Sequence, residues 1–184
     1  AIGDRANRET LDLYQRAFTS AQEANQELSA NADQDLVQDF RWRVEHAQHI
    51  DPSDVPRFGE LGVIAAIQGV HCTSDGPWVP SRLGEARTKL TSYPWRDLID
   101  SGAVLANGTD VPVEAIDPIA SYYASVSRRT SSGEKFYPEQ AMTRVEALAS
   151  YTINNAYAAF EEAHKGSLTP GKLADIVVLS QNIL

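Results

Sequence analysis

A short apolar run and a strand-like segment of this sequence each end in a group that binds metals and moves protons. Ala103-Val104-Leu105-Ala106 reads as a buried strand, and Gly108-Thr109-Asp110-Val111-Pro112-Val113-Glu114 places a carboxylate just beyond its C-terminal end. About sixty residues earlier, Arg41-Trp42-Arg43-Val44-Glu45-His46-Ala47-Gln48 repeats the arrangement with an imidazole. In a barrel of parallel strands, that end is where active sites are built. A His and an Asp on separate strand tips are parts from which a hydrolytic metal centre is assembled across a sequence. His46 fits a metal ligand whose other ring nitrogen is held by a neighbouring acceptor. Asp110 fits a ligand that also takes the proton of an activated water. Each has a plain structural alternative: a hydrogen-bonded core histidine for His46, a turn or helix cap before Val111-Pro112 for Asp110.

Other titratable groups are less pointed. His71 and Asp75 lie in Gly69 to Pro80, a stretch that reads as a long irregular loop. Such loops commonly carry substrate-contacting groups, so both are substrate-site candidates, with ordinary loop residues as the alternative. His49 reads as solvated, and His164 as a surface residue near a helix end, where the helix dipole favours it. Cys72 has no partner pattern of a nucleophile, and no Ser/His/Asp triad can be assembled with any specificity.

The elements that would hold these groups alternate between strand and helix. Asp4 is a helix cap, and Leu11, Tyr14, Phe18 and Ala21 recur at helical spacing. Gln26 to Asp39 is polar and acidic and reads as loop or frayed helix. Phe40 to Ala47 and Gly62 to Gln68 read as strands, the second apolar throughout as for a strand covered on both faces. Arg82 to Leu90, Pro94 to Ser101 and about Pro118 to Ser127 read as helices, and Glu139 to Phe160 as one or two more. Gly166 to Lys172 is turn chemistry that leads into Ala174-Asp175-Ile176-Val177-Val178-Leu179, a run of high β-propensity. The pattern is that of βα units and a parallel sheet.

At 184 residues the chain can bury one ordinary core, yet a complete (β/α)8 barrel takes roughly 250. A formal charge of −9 argues against nucleic acid, which calls for a basic face. No apolar run approaches the roughly 20 residues that span a bilayer, so no membrane partner is expected. With one cysteine no intrachain disulfide can form, compatible with a reducing, cytoplasmic setting. The sequence starts without Met, at Ala1-Ile2-Gly3-Asp4-Arg5, and reads as a piece of something longer.

Several blocks together resemble one branch of the amidohydrolase superfamily, that of N-substituted formamide deformylase and related metal-dependent hydrolases. They are Ala1 to Asn7, Arg43 to Gln48, Gly108 to Val113, Arg82-Leu83-Gly84, Tyr93-Pro94-Trp95-Arg96, Tyr137 to Gln140 and Gly166 to Leu179, in the correct order. The resemblance implies a (β/α)8 barrel with one or two divalent metals, usually zinc. Ligands in such enzymes follow strands one, four, five, six and eight. By position, His46 is similar to the sixth-strand ligand and Asp110 to the eighth-strand ligand and general base. Residues 1–163 then correspond to the C-terminal part of the barrel, strands six to eight with their helices. Residues 164–184 correspond to a return strand into a small β-sandwich. The implied function is hydrolysis of a C–N bond, amide or formamide, by metal-activated water, with a small-molecule substrate. Gly69 stands where Pro often follows the Gln, and Thr109 where Ser is commoner. The fifth-strand His would fall immediately before Ala1, so with only two expected ligands the site is incomplete. Weak or absent activity is therefore expected of this chain alone, with the missing N-terminal half or a second copy covering its open edges. The alternatives are a non-catalytic α/β interaction module or one subunit of a split enzyme.

Overall fold

The computed structural model describes residues 1–29 and 39–184. Part of the acidic run from Gln26 to Asp39 therefore falls outside the described residues. Helix α1 (Asp4–Ser29) is followed by β1 (Arg43–Glu45), α2 (Val55–Glu60) and β2 (Ile64–Gln68). Next come α3 (Gly69–Asp75), α4 (Val79–Leu83), α5 (Glu85–Thr91), α6 (Trp95–Asp100) and β3 (Leu105–Gly108). The helices α7 (Pro118–Ser127), α8 (Arg144–Tyr151) and α9 (Ile153–Ala158) complete the order, with a 3-10 turn at Pro138–Gln140 ahead of α8.

The three strands form one parallel sheet in the order β1-β2-β3, paired Val44 with Ala65 and Ala66 with Ala106. Central β2 is buried along Ile64 to Ile67, as expected of a parallel strand covered on both faces. The main core joins Leu11, Val44, Ile50, Phe58, Val63, Trp95 and Leu98. The expected strand over Phe40 to Ala47 is shorter because the backbone turns left-handed at His46 and Ala47, with φ of +70° and +42°. That turn ends the ladder at Glu45.

Two helices are set by local chemistry. Asp117 accepts from the amides of Ile119 and Ala120 at the start of α7, with Pro118 behind it. Thr143 and Glu146 form a reciprocal capping box at the start of α8. Glu146 also meets Arg96 of α6, Nη1 to Oε1 at 2.9 Å. The Arg96 hydrogen bond, aided by the Thr143 amide, holds the Glu146 carboxyl at about 2. The stabilisation is thus full above the ordinary value of 4.5 and is lost as pH falls through about 2. Glu146→Gln is expected to cost about 1–2 kcal/mol at pH 7, given partial exposure of the pair. Its urea midpoint should also fall less steeply than that of the unsubstituted chain between pH 5 and 2.

Two expected segments differ. Gly69 to Pro80 was expected to be irregular but is mostly helical. The first amides of α3 are capped by distant side chains: Gly69 N donates to Asn107 Oδ1 at 3.0 Å and Val70 N to Ser121 Oγ at 3.1 Å. No local capping signal was therefore needed. Ala174 to Leu179, expected as a strand, has no ladder partner among the described residues. Val177 and Val178 are 80% and 91% exposed; a strand forms only against a neighbour.

Candidate metal centre

His46, His71 and Asp110 converge at the C-terminal ends of the three strands. Their ligand atoms all lie within 4.8 Å of one another. His46 directly follows β1, and its amide still donates to Ala66 O of β2 at 2.8 Å, so the ring leaves the sheet from an anchored backbone. His71 is the third residue of α3, the helix that starts where β2 stops. Asp110 lies two residues past β3 with φ +58°. Positive φ at non-glycine residues costs on the order of 1–3 kcal/mol and concentrates at functional sites. Two of the three convergent residues carry it.

The ring of His46 is oriented from behind. Its Nδ1 is 2.9 Å from Gln68 Oε1. An amide oxygen only accepts, so Nδ1 carries the proton and Nε2 keeps its lone pair. The two imidazoles face each other, centroids 5.9 Å apart and planes 18° from parallel. His71 Nε2 lies 3.9 Å from Asp110 Oδ2, outside hydrogen-bond distance. His71 is 8% exposed, and Nε2 is buried with no hydrogen-bond partner among the described residues. A buried nitrogen left unpaired calls for an explanation. Two imidazoles and a carboxylate form the donor set of a catalytic zinc site, which uses three protein ligands and leaves one position open. Ligands about 2.1 Å from one ion lie ~3–4 Å apart, so small side-chain rotations close the cluster. The residues present fit a divalent metal.

The two sequence-selected substrate candidates part company here. His71 joins the ligand atoms, because α3 starts where β2 ends and carries it in its first turn. Asp75 does not; its Oδ2 accepts from Tyr93 and Gln48. Gln68 was not selected from the sequence, yet an amide closing an apolar strand was the available signal. His49, expected to be solvated, is buried: Nδ1 bonds Ser92 Oγ at 3.0 Å. Burial holds its pKa below the ordinary 6.5. His164 is exposed. Cys72 is fully buried and its thiol is pushed up to about 11, which removes it as a nucleophile.

A parallel α/β sheet with imidazole and carboxylate donors gathered at its C-terminal edge is the arrangement in which strand-end side chains surround a metal in barrel-type proteins. The sequence matches the amidohydrolase family over residues 1–184, and the chain belongs to that family. It is 39% identical over 183 residues to Protein LONG AFTER FAR-RED 3 of Arabidopsis thaliana, covering 99% of this chain and 29% of that protein. It is 29% identical over 140 residues to the N-substituted formamide deformylase of Arthrobacter pascens, covering 76% and 26%. A crystal structure of a metal-dependent hydrolase from Pyrococcus horikoshii OT3 superimposes with a TM-score of 0.78 at 29% identity, covering 100% of this chain and 33% of that one. The chain thus spans roughly a quarter to a third of the length of these relatives. Among the described residues, no helix is long and apolar enough to cross a membrane.

Proposed function

We propose that this chain supplies strands six to eight of a (β/α)8 barrel in a hydrolase of C–N bonds, with His46, His71 and Asp110 as its contribution to a zinc-type centre. The observation that carries this reading is the convergence of those three side chains within 4.8 Å at the tips of three consecutive parallel strands. The share of its relatives that the chain spans, about a third or less, supports a partial barrel. Residues 164–184, which join no strand ladder among the described residues, fit a segment of the small β element implied by the family.

A divalent cation held there would supply Lewis acidity, polarising a carbonyl and making a water acidic near neutral pH. The chain's own residues do the rest. Gln68 fixes the His46 tautomer so that Nε2 faces the centre. Asp110, partly exposed on its strand tip, is placed to accept a proton from the attacking water and to return it to the departing amine nitrogen. Loss of the amine without that proton would expel an unstable amide anion, so one carboxylate serving both steps lowers both barriers. The substrate is a small molecule with an amide or formamide group.

The test is hydrolysis of N-benzylformamide and p-nitroacetanilide by a longer polypeptide of this family that includes residues 1–184. Zinc-dependent turnover that drops by at least about 10³ in Asp110→Asn is the expected result. Turnover unaffected by chelation, or equal in the variant, overturns the reading.

A further inference from the structure

Behind the cluster lies a set of polar side chains that the hydrolytic reading leaves unused. The Tyr93 hydroxyl donates to Asp75 Oδ2 at 2.6 Å. Gln48 Nε2 donates to the same carboxylate oxygen at 2.9 Å and to the Tyr93 hydroxyl at 2.6 Å. Gln48 and Tyr93 are buried. The three come from three segments: Gln48 two residues past His46, Asp75 at the end of α3, and Tyr93 ahead of α6. The backbone repeats the tie, Tyr93 N donating to Gln48 O at 2.7 Å. The Tyr93 hydroxyl also lies 3.3 Å from the carbonyl oxygen of His71. Arg128, itself fully buried, donates from Nη1 to Tyr93 O at 3.1 Å and so ties Tyr93 to the end of α7.

This arrangement answers a mechanical need. His46, Ala47 and Tyr93 all hold positive φ, at +70°, +42° and +52°, a conformation that persists only where surrounding structure over-determines it. Gln48 pins the left-handed turn that aims His46. His71 and Asp75, four residues apart, share one face of α3, so pinning Asp75 fixes the rotation of α3 and the direction of His71. A buried network with its members paired rigidifies one geometry. The geometry points to Gln48, Asp75 and Tyr93 as positioning residues that set the mutual approach of the His46 and His71 imidazoles. The inference rests on the metal-centre reading above, and it gives Asp75 a place behind the site in preference to a substrate contact.

Two readouts test it on the full chain: Co2+ titration followed by d–d absorption, and long-range 1H–15N imidazole spectra of the metal-free protein. Tyr93→Phe removes one hydroxyl, Asp75→Ala removes the hub, and Asp75→Asn keeps an acceptor oxygen in place. Tyr93→Phe and Asp75→Ala are expected to weaken Co2+ binding by about 10–100-fold. They should also shift the His46 and His71 ring signals while that of His164 stays still. Asp75→Asn is expected to restore affinity to within about threefold. Ring signals of His46 and His71 that do not move in either variant overturn the proposal, even if the melting temperature falls. Absence of Co2+ binding by the unsubstituted chain counts against the metal reading instead, and the imidazole spectra then decide the positioning proposal alone. Where a substitution prevents folding, Gln48→Met carries the same expectation and the same overturning result.

Discussion

Asp110→Ala is expected to lower the affinity of this chain for Zn2+ or Co2+ by about 100-fold or more, equivalent to ~2.7 kcal/mol. It is the only charged donor of the three: His46 offers a neutral Nε2, and His71 is a buried imidazole. Removing it leaves two neutral nitrogens for a dication, below the three protein ligands that a catalytic zinc site uses. His46→Ala and His71→Ala should each weaken binding too, by smaller factors than Asp110→Ala. His164→Ala, on the exposed face, should change nothing. Isothermal calorimetry measures the affinities, and the Co2+ absorption band reports loss of a nitrogen ligand separately from loss of the carboxylate. Equal affinities for Asp110→Ala and the unsubstituted chain would remove Asp110 from the centre.

The amino-acid sequence was most informative where structure is decided locally. Helix α7 runs from Pro118 to Ser127, where the sequence located it, and Asp117 caps its start. Apolar runs located β2 and the start of β3, which runs on to Gly108, and the strand-like stretch Phe40 to Ala47 contains β1, trimmed by the turn at His46 and Ala47. Where long-range contacts decide, the sequence was silent. Helix α3 is capped by Asn107 and Ser121 from β3 and α7, so the stretch from Gly69 to Pro80 looked like loop. That misreading hid where His71 lies: in an irregular loop it was one polar residue among several, whereas as the third residue of α3 its Nε2 lies 3.9 Å from Asp110 Oδ2. His49 likewise reads as a polar loop residue until Ser92 and the Tyr93 ring enclose it. Proximity of His46 and Asp110, by contrast, was legible, because a strand followed at its C-terminal end by a metal-binding side chain recurs at both positions.

Gly69→Ala is expected to destabilise the fold by about 3 kcal/mol, at the upper end of what overpacking costs. A Cβ there would lie 2.1 Å from Ser125 Oγ and 2.5 Å from Ser121 O. Rotation of Ser125 can relieve the first clash, although that hydroxyl bonds Ser121 O at 2.9 Å and Asn107 Nδ2 at 3.0 Å. The carbonyl of Ser121 is backbone and moves only with α7. Helix α3 must therefore back away from α7, breaking the Gly69 amide bond to Asn107 that caps it, and His71 two residues on moves with it. The melting temperature should fall by roughly 6–12 °C for a chain of this size, and Co2+ affinity should drop in the folded variant. The Ser121 carbonyl and the Ser125 hydroxyl together leave no room for a Cβ here. Gly108→Ala, at a glycine with nothing within 4 Å of the added carbon, is the control and should melt within about 2 °C of the unsubstituted chain. If Gly69→Ala melts as high as Gly108→Ala, α3 and α7 are not packed as closely as these distances require, and the placement of His71 beside Asp110 falls with them.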